Sequence, residues 1–128
     1  MVLYAYQRYR VRSITGLTDP LNQAAGSELP YAANLEVFNM PYAKFGRLWL
    51  GNSAPAPKLT HVDVDWANSP WDAVSNPTIR IRANLGTAEI ERIYNLLPVV
   101  DGKLIDLSSN PGYAAADKSI ATLKGWIA

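Results

Sequence analysis

The sequence predicts a small α/β fold with a parallel sheet, two C-terminal helices and an extended N-terminal arm. Three observations lead to this prediction. Short pieces with two apolar residues around one outward position recur along the chain, two amphipathic runs lie near the C-terminus, and residues 2–14 alternate with period two. The 128 residues suffice for one domain with a modest core. A small α+β domain with a mixed sheet is the alternative that the same pattern allows.

Five strand-like pieces place two apolar side chains on one face of a sheet, as an alternating strand requires. They are residues 38–40, 48–50, 62–64, 79–81 and 105–107. Small or Asn side chains follow at the turns, namely Ala43, Ser53, Ala67, Asn84 and Asn110. Because Asn bonds readily to neighbouring backbone groups, we expect Asn84 and Asn110 to hold stacked turns.

Two amphipathic runs predict helices. The first covers residues 87–97, with Thr87 as its cap, Pro98 after its end, and an apolar stripe of Ile90, Ile93, Tyr94 and Leu97. The second covers residues 117–124, with an Asp117 cap, a terminating Gly125, and an inner face of Ile120 and Leu123.

The units at residues 79–84 and 105–110, and the tail from Asp106 to Trp126, resemble the closing repeats of divergent leucine-rich repeat proteins. Such proteins occur on bacterial surfaces and in bacteriophage particles. The resemblance covers about residues 79–128 and implies a short, irregular solenoid. The earlier strand pieces lie closer together than the roughly 20–29 residues of a regular repeat. Residues 1–30 are predicted to be an arm and linker, and residues 31–128 the leucine-rich-repeat-like domain.

The N-terminal segment has one basic edge, formed by Arg8, Arg10 and Arg12. It is interpreted as a solvated edge strand, on which charge discourages pairing, or as an arm whose arginines pair with acids of a neighbouring subunit. A phosphate patch is the third interpretation. A net charge of +1 argues against nucleic acid as the main partner.

The sequence contains no pattern that predicts catalysis. Asp63 and Asp65, close to His61, are candidates for acid–base chemistry or for binding a cation. They flank Val64 in a strand, however, where such positions simply face solvent or a partner. The chain has no cysteine, no calcium-binding loop and no phosphate-binding glycine motif. We therefore expect no enzyme, no cofactor and no metal site.

The outward residues of the five pieces predict an interaction surface. If the strands are parallel and adjacent, one ladder forms from Asn39, Trp49, Asp63, Arg80 and Asp106. Trp66 and Trp71 lie in a Pro-bounded loop, where they either anchor the same contact or fill the core. The predicted partner-binding residues are therefore Arg8, Arg10, Arg12, Trp49, Asp63, Asp65, Trp66, Trp71 and Arg80.

The resemblance and the uncapped N-terminal end imply a structural and interaction protein of a bacteriophage particle, specifically a capsid decoration (cement) protein. Its partners would be capsid or other virion subunits and copies of itself as a homo-oligomer, with no nucleic acid and no membrane. We see no secretion signal and no apolar run of about 18 residues, so we expect synthesis in the host cytoplasm and assembly into the virion. The alternative is a carbohydrate- or peptide-binding module, in a tail or surface adhesin, that uses exposed Trp.

Overall fold

A computed structural model describes residues 12–15, 27–72, 74 and 76–128. These residues form short strands and two helices in the order β1 (Ser13–Thr15), β2 (Ser27–Tyr31), β3 (Val37–Asn39), β4 (Leu48–Ala54), β5 (Val62–Asp63), β6 (Ile79–Ile81), α1 (Thr87–Leu96), β7 (Lys103–Asp106), α2 (Ser119–Thr122) and β8 (Trp126–Ile127).

The strands form two sheets, and all their described pairings are parallel. One sheet has the order β1-β3-β5 and the other the order β2-β4-β6-β7-β8. Up to β6 the chain alternates between the two sheets, and thereafter a helix stands between successive strands of the five-stranded sheet. The fold is thus a small α/β fold with two parallel sheets and few helices, and the α+β alternative also remains compatible with it.

This alternation explains the uneven spacing of the strand pieces in the sequence. The pieces around Phe38 and Val62 pair in the three-stranded sheet. The pieces that begin at Leu48, Ile79 and Ile105 pair in the five-stranded sheet. Sequence spacing measured across all five pieces therefore mixes two separate series of strands.

The predicted inward residues form the core, which confirms their assignment. All ten are at most 3% exposed: Phe38, Met40, Leu48, Leu50, Val62, Val64, Ile79, Ile81, Ile105 and Leu107. Leu35, Leu59 and Leu85 are also fully buried. Backbone bonds from Asn84 N–H to Leu59 and from Gly112 N–H to Leu85 link one turn to the next.

Helix α1 confirms the first predicted helix to within one residue, and its apolar stripe is buried. The predicted Thr87 cap is wrong. Gly86 occupies the cap position, and the Thr87 hydroxyl donates instead to the carbonyl of Gly112 at 3.0 Å. At the other end, the Lys124 ammonium donates to the carbonyls of Tyr94, Asn95 and Leu97. A cation there stabilises the negative end of the helix dipole.

Helix α2 is shorter than predicted, and its predicted inner face is wrong for Leu123 but right for Ile120, which packs against the core. Ala121 is the buried residue, whereas Leu123 is 86% exposed and Ile120 is half-buried. Lys118 occupies the cap position, so the predicted Asp117 cap lies one residue too early, although the Asp117 carboxylate does accept the backbone N–H and the hydroxyl of Ser119. Gly125 follows the helix with φ of +89°, as expected for a terminator.

The predicted boundary at residue 30 lies where the chain already belongs to the sheets. β1 pairs with β3, and β2 pairs with β4 on the other sheet. The described residues of the arm thus contribute an edge strand to each sheet. The division into arm and domain stays a prediction.

Candidate interaction surface

Three predicted outward residues stand side by side on the five-stranded sheet. Trp49 on β4 is the Cα partner of Arg80 on β6, which is in turn the partner of Asp106 on β7. Their neighbours along each strand are buried, so the three side chains share the outward face. We call Trp49, Arg80 and Asp106 the ladder.

The prediction that Asn39 and Asp63 extend this ladder is wrong. They are Cα partners of one another in the three-stranded sheet. The physical reason is that the chain crosses from one sheet to the other after each of these strands. Residues at equivalent positions in consecutive strands therefore lie on different sheets.

The ladder is held in place by contacts of its own side chains. Arg80 Nε donates to Asp106 Oδ2 at 3.1 Å, and the Trp49 indole N–H donates to the Pro77 carbonyl at 2.8 Å. The Arg47 guanidinium lies 4.5 Å from the centre of the Trp49 ring. Such a cation–π contact at a partly exposed site is worth about 0.5–1 kcal/mol. These contacts restrict the orientation of the Trp49, Arg80 and Asp106 side chains.

The Asp106 carboxylate is held ionised. Burial raises its pKa, but hydrogen bonds from Ser108 and Arg80 lower it more, so the net shift is below the ordinary value. The Asp106 and Arg80 side chains are 28% and 36% exposed, so both are partly accessible to solvent.

An open depression of about 370 Å³ lies on the same side of the sheet, at the amino ends of β6 and β7 and beside the edge strand β8. It is lined by Val74, Asn76, Thr78, Gly102, Lys103, Leu104 and Ile127. Val74 is fully exposed and Ile127 is 56% exposed. Leu104 lies two residues before Asp106 on β7, so it shares the outward face with the ladder.

The prediction that Trp66 and Trp71 are exposed anchors is wrong, and the interpretation that they fill the core is confirmed. Each is 1% exposed, and their rings stack with centres 5.9 Å apart. The Trp71 indole N–H donates to the Trp66 carbonyl at 3.0 Å. Trp126 packs edge-on against Trp71. Because the chain has only two Phe, tryptophans supply the large apolar side chains that close this part of the core.

The acidic candidates lie away from the ladder. Asp63, on the three-stranded sheet, is 3.7 Å from Arg92, and Asp65 is 3.9 Å from Lys44. Asp65 also accepts the backbone N–H of Asn68. The two carboxylates therefore pair with different cations and do not form a joint acid–base pair.

A cluster on α1 was not predicted from the sequence. Glu89 accepts the backbone N–H of Val62 and two bonds from Arg92, and its other contact is the His61 ring at 3.1 Å. Arg92 also donates to the Val62 carbonyl at 2.6 Å. This carboxylate is fully engaged, so it is a structural group. No group of three or more acidic or histidine side chains suited to a metal occurs among the described residues.

Of the three predicted arm arginines, the described part of the chain includes Arg12. Its guanidinium pairs with Glu36 of the same chain at 3.1 Å, and its side chain is 70% exposed. Arg8 and Arg10 lie outside the described residues, so their predicted contacts stay predictions. No helix in the described ranges is long and apolar enough to cross a membrane.

Sequence analysis missed several residues on the outward face, namely Arg47, Arg82, Leu104, Val74 and Ile127. Strand alternation gave a signal for three of them, because Arg47, Arg82 and Leu104 stand two residues from a ladder member. Val74 and Ile127 carried no such signal.

Comparison with protein-family models, curated proteins and solved structures found no match for this chain.

Proposed function

We propose that this chain is a non-enzymatic structural and interaction protein that binds a protein partner through the outward face of its five-stranded sheet. The observation that carries the proposal is the ladder, in which Trp49, Arg80 and Asp106 stand in register on adjacent strands. A half-buried Trp and Arg beside a depression of mixed polar and apolar lining have the composition of a protein contact.

We further propose that the architecture is a short, irregular solenoid of the leucine-rich-repeat type. Parallel pairing in both sheets supports this assignment, and so does the burial of Leu35, Leu59 and Leu85. Each coil buries its apolar side chains against the next coil. Such stacking gives a continuous sheet face whose side chains have fixed spacing, which suits a rigid binding surface.

The biological setting that we propose is a bacteriophage particle, where the chain acts as a capsid decoration protein. The support is the resemblance of residues 79–128 to the closing repeats of divergent leucine-rich repeat proteins, which occur on bacterial surfaces and in bacteriophage particles. The mechanism is adhesion: the sheet face covers a seam between shell subunits and adds buried area and ion pairs across it. Association with the virion, and with further copies of the chain, belongs to this proposal.

The test is recovery of the chain with intact particles of the phage whose genome encodes it. We expect many copies per particle for the unchanged chain and a large loss for Trp49→Ala together with Arg80→Ala. The matched control is Lys44→Ala with Lys58→Ala, which changes exposed side chains that pair with Asp65 and Glu36 away from the ladder. Absence from purified particles, or equal recovery of both double variants, would contradict the proposal.

The alternative of a sugar-binding module receives little support from the geometry. Trp66 and Trp71 are buried, and one approach to the Trp49 ring is taken by Arg47. A glycan array provides the direct comparison. Glycan binding that disappears in Trp49→Ala would favour this module over decoration.

A further inference from the structure

Asp101 and Gly102 form the one Asp–Gly pair of the sequence. Both residues are exposed and lie in the bend that precedes β7. In such a pair the backbone nitrogen of the glycine is accessible to the preceding carboxyl group, because glycine has no Cβ that would shield it. Attack of this nitrogen on the aspartate side chain is the first step of isoaspartate formation. The pair is therefore a candidate site of spontaneous covalent modification.

The attacking nitrogen is engaged in the folded chain. The Gly102 N–H donates to the Gly125 carbonyl at 2.9 Å, and the Val100 N–H donates to the Lys124 carbonyl at 2.8 Å. The two backbone segments are in direct contact, since a Cβ added at Gly125 would lie 1.9 Å from the Val100 carbonyl oxygen. The Gly102 nitrogen is therefore free to turn toward the Asp101 side chain only when its contact with Gly125 opens.

We propose that Asp101 is a site of isoaspartate formation, and that the contact of Gly102 with the segment 124–127 controls its rate. The Gly102 nitrogen bonds to Asp101 Cγ as the Cγ–OH bond breaks, and the amide proton and the hydroxyl leave as one water molecule. Water then opens the succinimide ring at either carbonyl. Opening at the main-chain carbonyl of Asp101 routes the backbone through Cγ, whereas opening at Cγ restores aspartate. No other reactant is consumed, and the mass of the chain is unchanged.

The controlling contact lies beside a short strand at the edge of the five-stranded sheet. Strand β8 has two residues and stands next to β7 at that edge. It is held by Trp126, whose indole N–H donates to the Pro98 carbonyl at 2.9 Å and whose ring packs against Trp71. Peripheral elements of this kind open locally at a lower free energy than the core of a domain. Local opening of residues 124–127 therefore frees the Gly102 nitrogen more often than global unfolding does.

Isoaspartate at position 101 changes the spacing of the two backbone bonds on either side of it. The modified residue adds one carbon to the main chain between Val100 and Gly102, whose N–H groups bond to the carbonyls of Lys124 and Gly125. These two carbonyls belong to adjacent residues, so their spacing stays the same. The longer segment no longer matches it, and the modification therefore favours the open state of residues 124–127.

The first experiment measures isoaspartate at position 101 by peptide mapping and mass spectrometry during incubation in weakly acidic buffer. The full chain is compared in its folded state and unfolded in urea. We expect formation to be at least about tenfold slower in the folded chain, because the reactive state is populated only when the contact opens. Gly102→Ala should slow formation in urea as well, since its Cβ shields the nitrogen. This variant is compatible with the fold, because the added Cβ meets nothing within 4 Å.

Two matched variants test where the opening occurs. Trp126→Phe removes the indole bond to the Pro98 carbonyl and should speed formation in the folded chain about threefold or more, as for the loss of one hydrogen bond. Phe38→Leu reduces a buried side chain of the three-stranded sheet and should leave the rate unchanged. Circular dichroism reports whether each variant is folded.

Hydrogen exchange of the Gly102 amide measures the same opening in the unchanged chain, and it decides the matter if Trp126→Phe does not fold. We expect this amide to be protected relative to exposed amides. Four results would overturn the inference: equal rates in the folded and unfolded chains, no isoaspartate at position 101 in urea, an equal effect of the two variants, or an unprotected Gly102 amide. None of these measurements involves a partner, so they are independent of the proposed function.

Discussion

The Glu89 carboxylate accepts the backbone N–H of Val62 at 3.0 Å, at the edge of the three-stranded sheet. Arg92, one helical turn further on, donates to the Val62 carbonyl. A side-chain pair on α1 therefore bonds both backbone groups of Val62, as a neighbouring strand would. These contacts attach helix α1 to β5, the edge strand of the three-stranded sheet.

The Glu89 contact predicts a pH-dependent stability. Burial raises the pKa of Glu89, but hydrogen bonds from Arg92 and the Val62 N–H outweigh it and place the pKa below the ordinary value of 4.5. Stability from this group is therefore present above its unfolded pKa and is lost as the pH falls through the lowered pKa. Glu89→Gln should lower the free energy of unfolding by about 1–3 kcal/mol at neutral pH.

Urea unfolding at a series of pH values measures both effects. In Glu89→Gln, the decrease in the free energy of unfolding that protonation of Glu89 causes at acid pH should disappear. Glu36→Gln is the control, because Glu36 is 39% exposed and forms surface ion pairs; it should change stability by less than about 0.5 kcal/mol. Identical pH profiles for Glu89→Gln and the unchanged chain would contradict the prediction.

Asn110 should be far more important for stability than Asn84. The Asn110 side chain accepts the N–H groups of Ala83 and Leu85 and donates to the carbonyls of Ile81 and Leu107. Asn110→Ala leaves several buried backbone groups without partners, each worth roughly 1–3 kcal/mol, so we expect a loss of about 3 kcal/mol. Asn84 is exposed, and Asn84→Ala should cost less than about 0.5 kcal/mol in the same urea assay.

Asn110→Asp gives a sharper form of this test. The carboxylate still accepts the two N–H groups but donates nothing to the two carbonyls, so this variant should also be destabilised. Stability equal to that of the unchanged chain would mean that the donor half of the side chain is dispensable.

Substitution of the buried Trp71 should destabilise the chain more than substitution of Trp49 on the sheet surface. Trp71 is buried against Trp66, and its φ of 41° is a strained backbone conformation that packing must offset. Trp71→Ala should cost about 3–5 kcal/mol by thermal or urea unfolding. Trp49→Ala removes one hydrogen bond and a cation–π contact, so a loss of about 1 kcal/mol is expected. A reversed order of the two losses would show that the assignment of core and surface is wrong.

Two glycines with positive φ should respond differently to substitution. At Gly125, with φ of +89°, an added Cβ would lie 1.9 Å from the Val100 carbonyl oxygen. Gly125→Ala should therefore destabilise the chain by about 3 kcal/mol or more. At Gly102, with φ of +70°, an added Cβ meets nothing within 4 Å, so Gly102→Ala should cost only the roughly 1 kcal/mol of the left-handed conformation. Calorimetry on both variants measures the difference, and equal losses would contradict the clash at Gly125.

The sequence by itself determined which side chains of each strand face inward and where the first helix lies. Alternation places Leu48 and Leu50 on one side of β4 and Trp49 on the other, whatever the neighbouring strands are. The stripe of Ile90, Ile93, Tyr94 and Leu97 determines the buried face of α1 in the same local way. These features follow from backbone geometry over a few residues.

Only the tertiary structure decided which strands are neighbours. In the folded chain Trp49, Arg80 and Asp106 lie on adjacent strands, whereas Asp63 lies on the other sheet. The Glu89 carboxylate accepts a backbone N–H that is distant in sequence. Asn110 is buried and forms four side-chain hydrogen bonds, whereas Asn84 is exposed, although both follow their strands at the same offset. The physical reason is that periodicity specifies which face of a strand is buried, whereas strand adjacency depends on how segments distant in sequence bury their apolar surfaces against each other.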